Sequence, residues 1–261
     1  MTGVRTADLA AALDEELGAG AFLDGQENGL QIEGRGEVRR LATAVSVSRA
    51  TVEQALAWGA DALLTHHGLL WRDQPLHVRG VRRERLRLFM ENDLNLLTYH
   101  LPLDAHPVHG NNAALADAAG CAASQPGFPY KGQAIGAVGD LGEDRDFPAW
   151  VEAFEAALRT GCDVATGPFQ VWPFGPERVR RIGFLSGAGP YQVQDAIDAG
   201  LDVYVTGETT EGAYHLAKEA GIHFVAGGHY LTERLGVQRL GAWCRERFGV
   251  VHRFLDAETR A

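Results

Sequence analysis

Leucines 9, 13 and 17 recur at helical spacing near the start of the chain, with Asp14, Glu15 and Glu16 on the other faces. That pattern predicts an amphipathic helix, with Thr6 placed to cap it. Asp24 to Ile32 reads as a polar loop entering a short strand. Arg40–Val47 is an apolar strand, after which Ser48 caps a helix running from about Ala50 to Trp58. Gly59 ends that helix, and Asp61 leads into the apolar run Ala62-Leu63-Leu64, which finishes at Thr65-His66-His67-Gly68. Neighbours on a regular strand point to opposite faces. Two adjacent imidazoles therefore reach one site only where the strand has ended, and Gly68 is read as the break. A loop with Trp71 and Pro75, an arginine-rich helix ending near Asn92 and the strand Leu94–Leu97 complete a β-α-β-α-β series, which implies a parallel sheet.

The second half repeats this order. Arg181–Ser186 matches the Arg40 strand, and Val193–Thr206 lies over Val52–Thr65 without a gap, with identical Val, Ala, Gly, Asp and Thr at five aligned positions. A helix over Ala213–Ala220 and a strand over His223–Ala226 correspond to the closing elements of the first half, and Gly221 stands in the turn that Asp93 occupies there. A generic βα pattern matched by chance is the alternative. The expectation is an α/β fold of two related halves with mostly parallel sheets, divided as residues 1–125 and 126–261, whose strand ends converge on one site. Between the halves, a Gly- and Pro-rich stretch from Gln125 to Gly142 holds a strand at Ala134–Val138, and Phe147–Leu158 is an apolar-faced helix. Phe169–Pro176 reads as a joining loop.

At 261 residues with 46% apolar content, the chain has ample core for one large α/β domain or two smaller ones. No apolar run is long enough to cross a bilayer, and the N-terminus reads as a helix rather than a signal peptide. Cys121, Cys162 and Cys244 are widely spaced and odd in number, as expected of reduced thiols in a cytoplasmic protein. The net charge of −10 argues against nucleic acid as a partner unless a basic patch is built locally. Arg79, Arg82, Arg83, Arg85 and Arg87 spread around their helix, so a solvated face is the ordinary explanation; a phosphate-binding rim is the alternative.

Each half then closes on the same device. His100 is followed four residues on by Asp104, and His229 four residues on by Glu233. Such pairs share one side of a helical turn or meet across a tight loop, and Pro102 makes the first a loop rather than a helix. Taken singly, a His-x-x-x-Glu is most often a surface pair, and His77, His106, His109, His215 and His223 are expected to be solvated or hydrogen-bonded. Placed after strands in a repeated frame, together with the His66-His67 doublet, they point to a metal. Imidazole and carboxylate without thiolate suit Zn, Mn, Fe or Co, and two acids able to bridge suit a pair of ions about 3.5–4 Å apart.

Asn28-Gly29-Leu30-Gln31, Thr65-His66-His67-Gly68 with Trp71, His100 to Pro107, Gly110-Asn111-Asn112, Thr206-Gly207-Glu208 and Gly228-His229-Tyr230 with Thr232-Glu233 resemble the Nif-three-like dinuclear-metal-centre family, whose members are called GTP cyclohydrolase 1 type 2 homologues. The resemblance spans nearly the whole chain and is to the short bacterial form. It implies His66, His67, Asp104, His229 and Glu233 as ligands of two divalent ions, with the acids bridging. It also implies a homohexameric ring with sites facing an internal cavity. One departure is Ala44-Val45-Ser46-Val47-Ser48, where many relatives carry an aspartate after the strand, so no role for such an acid is expected here. The activity implied is hydrolytic opening of a purine nucleotide ring, in which two ions would activate a water. With both acids engaged as ligands, His100 or Glu208 is the expected catalytic acid or base, and the arginines near residue 82 the expected phosphate contacts. The other reading is non-catalytic: a metal-loaded ring acting as scaffold, metal carrier or partner-binding protein.

Overall fold

The computed structural model describes residues 3–75, 77–257 and 259. They form two compact units. The first runs to Leu103 and takes back Val237–Ala257; the second holds Asp104–Gly236. The chain passes between them inside two helices, so neither crossing is a linker. A division after residue 125 falls within the strand Ala123–Tyr130, whose residues are hydrogen-bonded to the next strand along most of their length.

In the first unit, a two-stranded ribbon of β1 (Val4–Arg5) and β3 (Glu37–Val38) flanks α1 (Thr6–Leu17) and β2 (Gly29–Ile32). Because β1 holds the chain extended up to Arg5, α1 starts at Thr6 itself. Thr6 does not cap it; its hydroxyl donates to the Arg35 carbonyl at 2.7 Å. The series β4 (Arg40–Ser46), α2 (Arg49–Trp58), β5 (Ala62–His67), α3 (Gly80–Glu91) and β6 (Asn95–Thr98) follows the hydrophobic pattern. Ser48 and Thr51 form a reciprocal capping box at the start of α2, and Gly59 ends it in the left-handed conformation, φ 74°. The three strands are parallel neighbours. The strand Val251–Phe254 lies parallel to β4, and β2 runs antiparallel along β6. Ala42, Ala44, Val52, Ala55, Leu63, Phe89 and Leu96 pack the buried layer, where each large apolar side chain contributes about 1.5–3 kcal/mol. Of the arginines of α3, Arg83 and Arg87 are exposed and paired to Glu84 and Glu91, while Arg82 and Arg85 are half-buried, so a solvated face describes part of the set.

The short helix α4 (Leu101–Ala105) corrects one expectation. Pro102 does not prevent a helix, because in the first turn its missing N–H would have had no partner anyway.

The second unit contains α5 (Asn111–Ala118), a hairpin of β7 (Ala123–Tyr130) and β8 (Gln133–Asp146), α6 (Phe147–Arg159), β9 (Gln170–Trp172), β10 (Arg178–Leu185), α7 (Val193–Asp198), β11 (Val203–Thr206), α8 (Glu211–Ala220) and β12 (His223–Ala226). Lys131 and Gly132, both at positive φ, make the two-residue hairpin turn. The strand order is β7-β8-β10-β11-β12-β9, and only β10–β11 and β11–β12 are parallel. This sheet is therefore mixed rather than mostly parallel. The hairpin adds antiparallel strands on one side, and Phe169–Pro176 is not a joining loop but carries β9, an antiparallel edge strand on β12. Three residues next to prolines were too short a run to read as a strand.

The repeat is present in the backbone. Each unit has three parallel strands in sequence order with helices between them. Asp61 Oδ2 accepts from the Arg39 and Arg40 amides at 2.8 and 2.9 Å, and Asp202 Oδ2 accepts from the Arg180 and Arg181 amides at 2.8 Å each. Asp93 and Gly221 hold the same left-handed turn, at φ 49° and 69°. Phe147, Trp150, Phe154 and Leu158 of α6 pack on Val179, Ile182, Phe184, Val203 and Val225. Arg234, fully buried, donates to the Thr160 and Gly161 carbonyls at 3.1 and 2.7 Å and so closes the carboxyl end of α6. Among the described residues no helix is long and apolar enough to cross a membrane.

Candidate metal centre

In the first unit, β5 and the turn after β6 bring three histidines together. His66 and His67 are the last two residues of β5, so the strand has not ended before them as expected. Their rings nevertheless lie 4.6 Å apart, and His100 is 4.9 Å from His66 and 5.5 Å from His67. One ring nitrogen from each of the three lies within 4.8 Å of the others. Gly68 contributes room rather than a sharp turn: a Cβ there would press on Thr98 and the Gln31 amide. Gln31 Oε1 accepts from the Leu69 and Leu70 amides, and buried Gln26 bonds His66 O and Gly68 N, so two glutamine side chains hold the strand end in place.

Each imidazole is oriented through Nδ1. That of His66 donates to the Tyr99 carbonyl at 2.9 Å, that of His100 to Asp24 Oδ1 at 2.9 Å, and that of His67 pairs with Ser46 Oγ at 2.9 Å. A carbonyl or carboxylate partner makes Nδ1 the donor and leaves the lone pair on Nε2, the arrangement found behind metal-bound histidines. Ser46, the last residue of β4, thus orients His67 through its hydroxyl. Asp24 is buried and accepts four hydrogen bonds, from His100 Nδ1, the Gln26 amide, Asn28 Nδ2 and the Leu101 amide. Burial works against its charge, but the hydrogen bond and charge of His100, with Asn28 and Gln26, outweigh it and hold the carboxyl well below the usual range.

In the second unit, His229 opens α9 (His229–Phe248), with Glu233 one turn on. His229 Nε2 is 3.1 Å from Glu233 Oε2, and its Nδ1 is 2.6 Å from Glu208 Oε1. Burial pushes the His229 imidazole down, but Glu233 and then Glu208 more than reverse this and raise it to about 9. Asp104 and Glu233 each present a carboxylate oxygen within 4.8 Å of the other's. The turn Ser186-Gly187 lies against both acids: Ser186 Oγ donates to Asp104, and a Cβ at Gly187, φ 65°, would overlap Glu233 Oε1 and crowd His229 Nε2. Glycine is required there by both conformation and space.

Every candidate ligand thus belongs to one of two clusters, His66, His67 and His100 in the first unit and Asp104, His229 and Glu233 in the second. The donor set fits divalent ions of the Zn, Mn, Fe or Co type, with nitrogen and oxygen ligands and oriented rings. Glu208 is engaged with His229. The other histidines lie elsewhere: His223 stacks on Phe147 and bonds the Pro176 carbonyl, and His106 stacks on His109. Asp24, Ser46, Ser186 and Asn111 had no role in the sequence reading of the site, because their partners are 21 to 82 residues away or depend on a turn that only folding creates. The spacing Asp24-x-Gln26-x-Asn28 was the available signal for the first. Cys121 and Cys244 are pushed up to about 12, chiefly by burial, which disfavours the thiolate form.

The family model Duf34/NIF3 (NGG1p interacting factor 3) matches residues 4–260. A Yersinia pestis protein named GTP cyclohydrolase 1 type 2 homolog is 37% identical over 253 residues, covering 97% of this chain and 98% of its own. An Escherichia coli protein of the same name is 36% identical over 256 residues, with the same coverage. Among solved structures, a structural-genomics protein of unknown function, ybgI, matches with TM-score 0.91 and 34% identity, over 99% of this chain and 100% of that one. A Thermus thermophilus protein matches with TM-score 0.85 and 30% identity, over 98% and 99%.

Proposed function

The chain belongs to the Duf34/NIF3 family, and from that premise we propose that it is a hydrolase dependent on two divalent metal ions. His66, His67, Asp104, His229 and Glu233 are the ligands in this reading. The observation that carries it is the common orientation of the imidazoles: all four histidines of the two clusters spend Nδ1 on an oxygen partner. Histidines that merely pack or face solvent have no reason to share it.

Ions held there would bring a water's pKa toward neutrality and polarise the atom under attack. The protein's part is to aim and to move protons. Asp24 holds His100 with Nε2 outward, which makes His100 the group to carry a proton to or from the reacting atom, while Glu208 fixes the His229 ring. Half-buried Trp71 stands 5.2 Å from the His100 ring, edge to face, and forms an aromatic wall beside the cluster. On the name of the relatives, the substrate we propose is a purine nucleotide whose ring is opened by water; on the family resemblance, the assembly we propose is a ring of six chains.

The test is metal analysis of purified protein together with a hydrolysis screen over GTP, other nucleotides and phosphoesters, on wild type and His67→Ala. The expected result is about two ions per chain and turnover in wild type, with both lost in a His67→Ala protein that keeps its fold. Equal trace turnover in the two proteins would mark a contaminant and remove the hydrolase reading. Metal uptake without turnover on any substrate would leave the scaffold or carrier role.

A further inference from the structure

Asp104 is 7% exposed, and its Oδ1 accepts two hydrogen bonds, from Ser186 Oγ at 2.8 Å and from Asn111 Nδ2 at 2.8 Å. Both donors are themselves fixed. The Ser186 amide donates to Asn112 Oδ1 at 2.8 Å, Asn112 Nδ2 donates to the Ile135 carbonyl at 2.8 Å, and Asn111 Oδ1 accepts from the Gly236 amide at 3.1 Å. Asn111 and Asn112 are 0% and 1% exposed, so no solvent rearrangement can move them. A carboxylate oxygen has about two lone-pair sites, and both on Oδ1 are taken.

We propose that Ser186 and Asn111 are positioning residues that make Asp104 a one-oxygen metal ligand, acting through Oδ2 alone. This deepens the metal-centre reading and rests on it. An aspartate free at both oxygens can close on a single cation as a chelate, which raises the coordination number and takes up a position that substrate or water would otherwise use. With Oδ1 tied back, that mode is unavailable, the bridging that the resemblance implies for Asp104 would have to use Oδ2 alone, and the carboxylate plane is set before any ion arrives. Ser186, just after β10, and Asn111, at the start of α5, supply these two donors, so a turn from the repeat and an element outside it meet on this atom.

Cobalt(II) serves as the probe, because its visible absorption is intense in four-coordinate sites and weak at higher coordination. Affinity is read by competition with a chelator, and folding by the melting curve of the metal-free chain. Ser186→Ala is expected to bind cobalt about tenfold or more weakly, with a fainter absorption band as Asp104 closes on the ion through both oxygens. Ser186→Thr, which keeps the hydroxyl, is expected to restore both. If Ser186→Ala does not fold, Ser186→Gly, which also removes the hydroxyl and adds no metal ligand, is held to the same criterion. A folded Ser186→Ala or Ser186→Gly with wild-type affinity and spectrum overturns the proposal while the metal centre stands. A wild type that takes up no cobalt brings down the metal centre and this proposal together.

Discussion

Replacing Asp24 by asparagine removes one charge and almost no volume, and it tests whether the buried carboxylate holds the His100 turn. Oδ1 accepts from His100 Nδ1 and the Gln26 amide, and Oδ2 from Asn28 Nδ2 and the Leu101 amide. Whichever oxygen becomes NH2, two donors then face a donor, each at a cost of about 1 kcal/mol, and the bond to His100 loses its charge assistance. The sum is about 2–4 kcal/mol. Urea unfolding of the metal-stripped chain at pH 7 measures it. The pH dependence carries a sign. The folded-state carboxyl lies below its unfolded value of 3.8, so the wild-type advantage is full above that value and is lost as pH falls below it. The gap between the proteins should stay constant from pH 7 to 5 and narrow below about 4. A gap under about 0.5 kcal/mol at pH 7, the size of an ordinary surface substitution, or one that widens in acid, would refute the argument.

Three further outcomes are expected. Gly187→Ala forces a side chain into left-handed backbone and onto the Glu233 carboxylate, so the chain should lose about 1–3 kcal/mol of stability and bind less metal, as measured by melting and metal analysis. Arg234→Met leaves the carboxyl end of α6 without its donors; a loss of about 2–4 kcal/mol is expected, and a melting temperature unchanged from wild type would contradict it. His252 is pushed down to about 4, mainly by burial and then by Arg245, while the unfolded chain titrates near 6.5. The unfolded state therefore binds the extra proton first, and stability should fall as pH drops from 6.5 to 4 and level off below, by up to about 3 kcal/mol. That slope should be absent in His252→Gln.

Periodicity alone carried the first unit's β-α-β-α-β series, the caps at Ser48 and Gly59, and the repeat that places Asp61 over Asp202. These depend on contacts within a few residues or on a face that must be apolar, and such requirements are written locally in a chain. The histidines and acids of the site were legible for the same reason, since each stands at the end of a strand or in the turn or helix that follows one in the repeated frame. The hairpin, the edge strand at Gln170–Trp172 and the helical turn around Pro102 were not, because strand pairing is decided by partners far along the chain and Pro at the first turn is neutral to helix formation. Nor were Asp24, Ser46, Ser186 and Asn111. A serine or asparagine acquires its partner only when the backbone has folded, and no local pattern distinguishes one that will orient an imidazole or a carboxylate from one that will face water. Residue types and spacing determined which atoms can bind; the tertiary structure decided where each lone pair points.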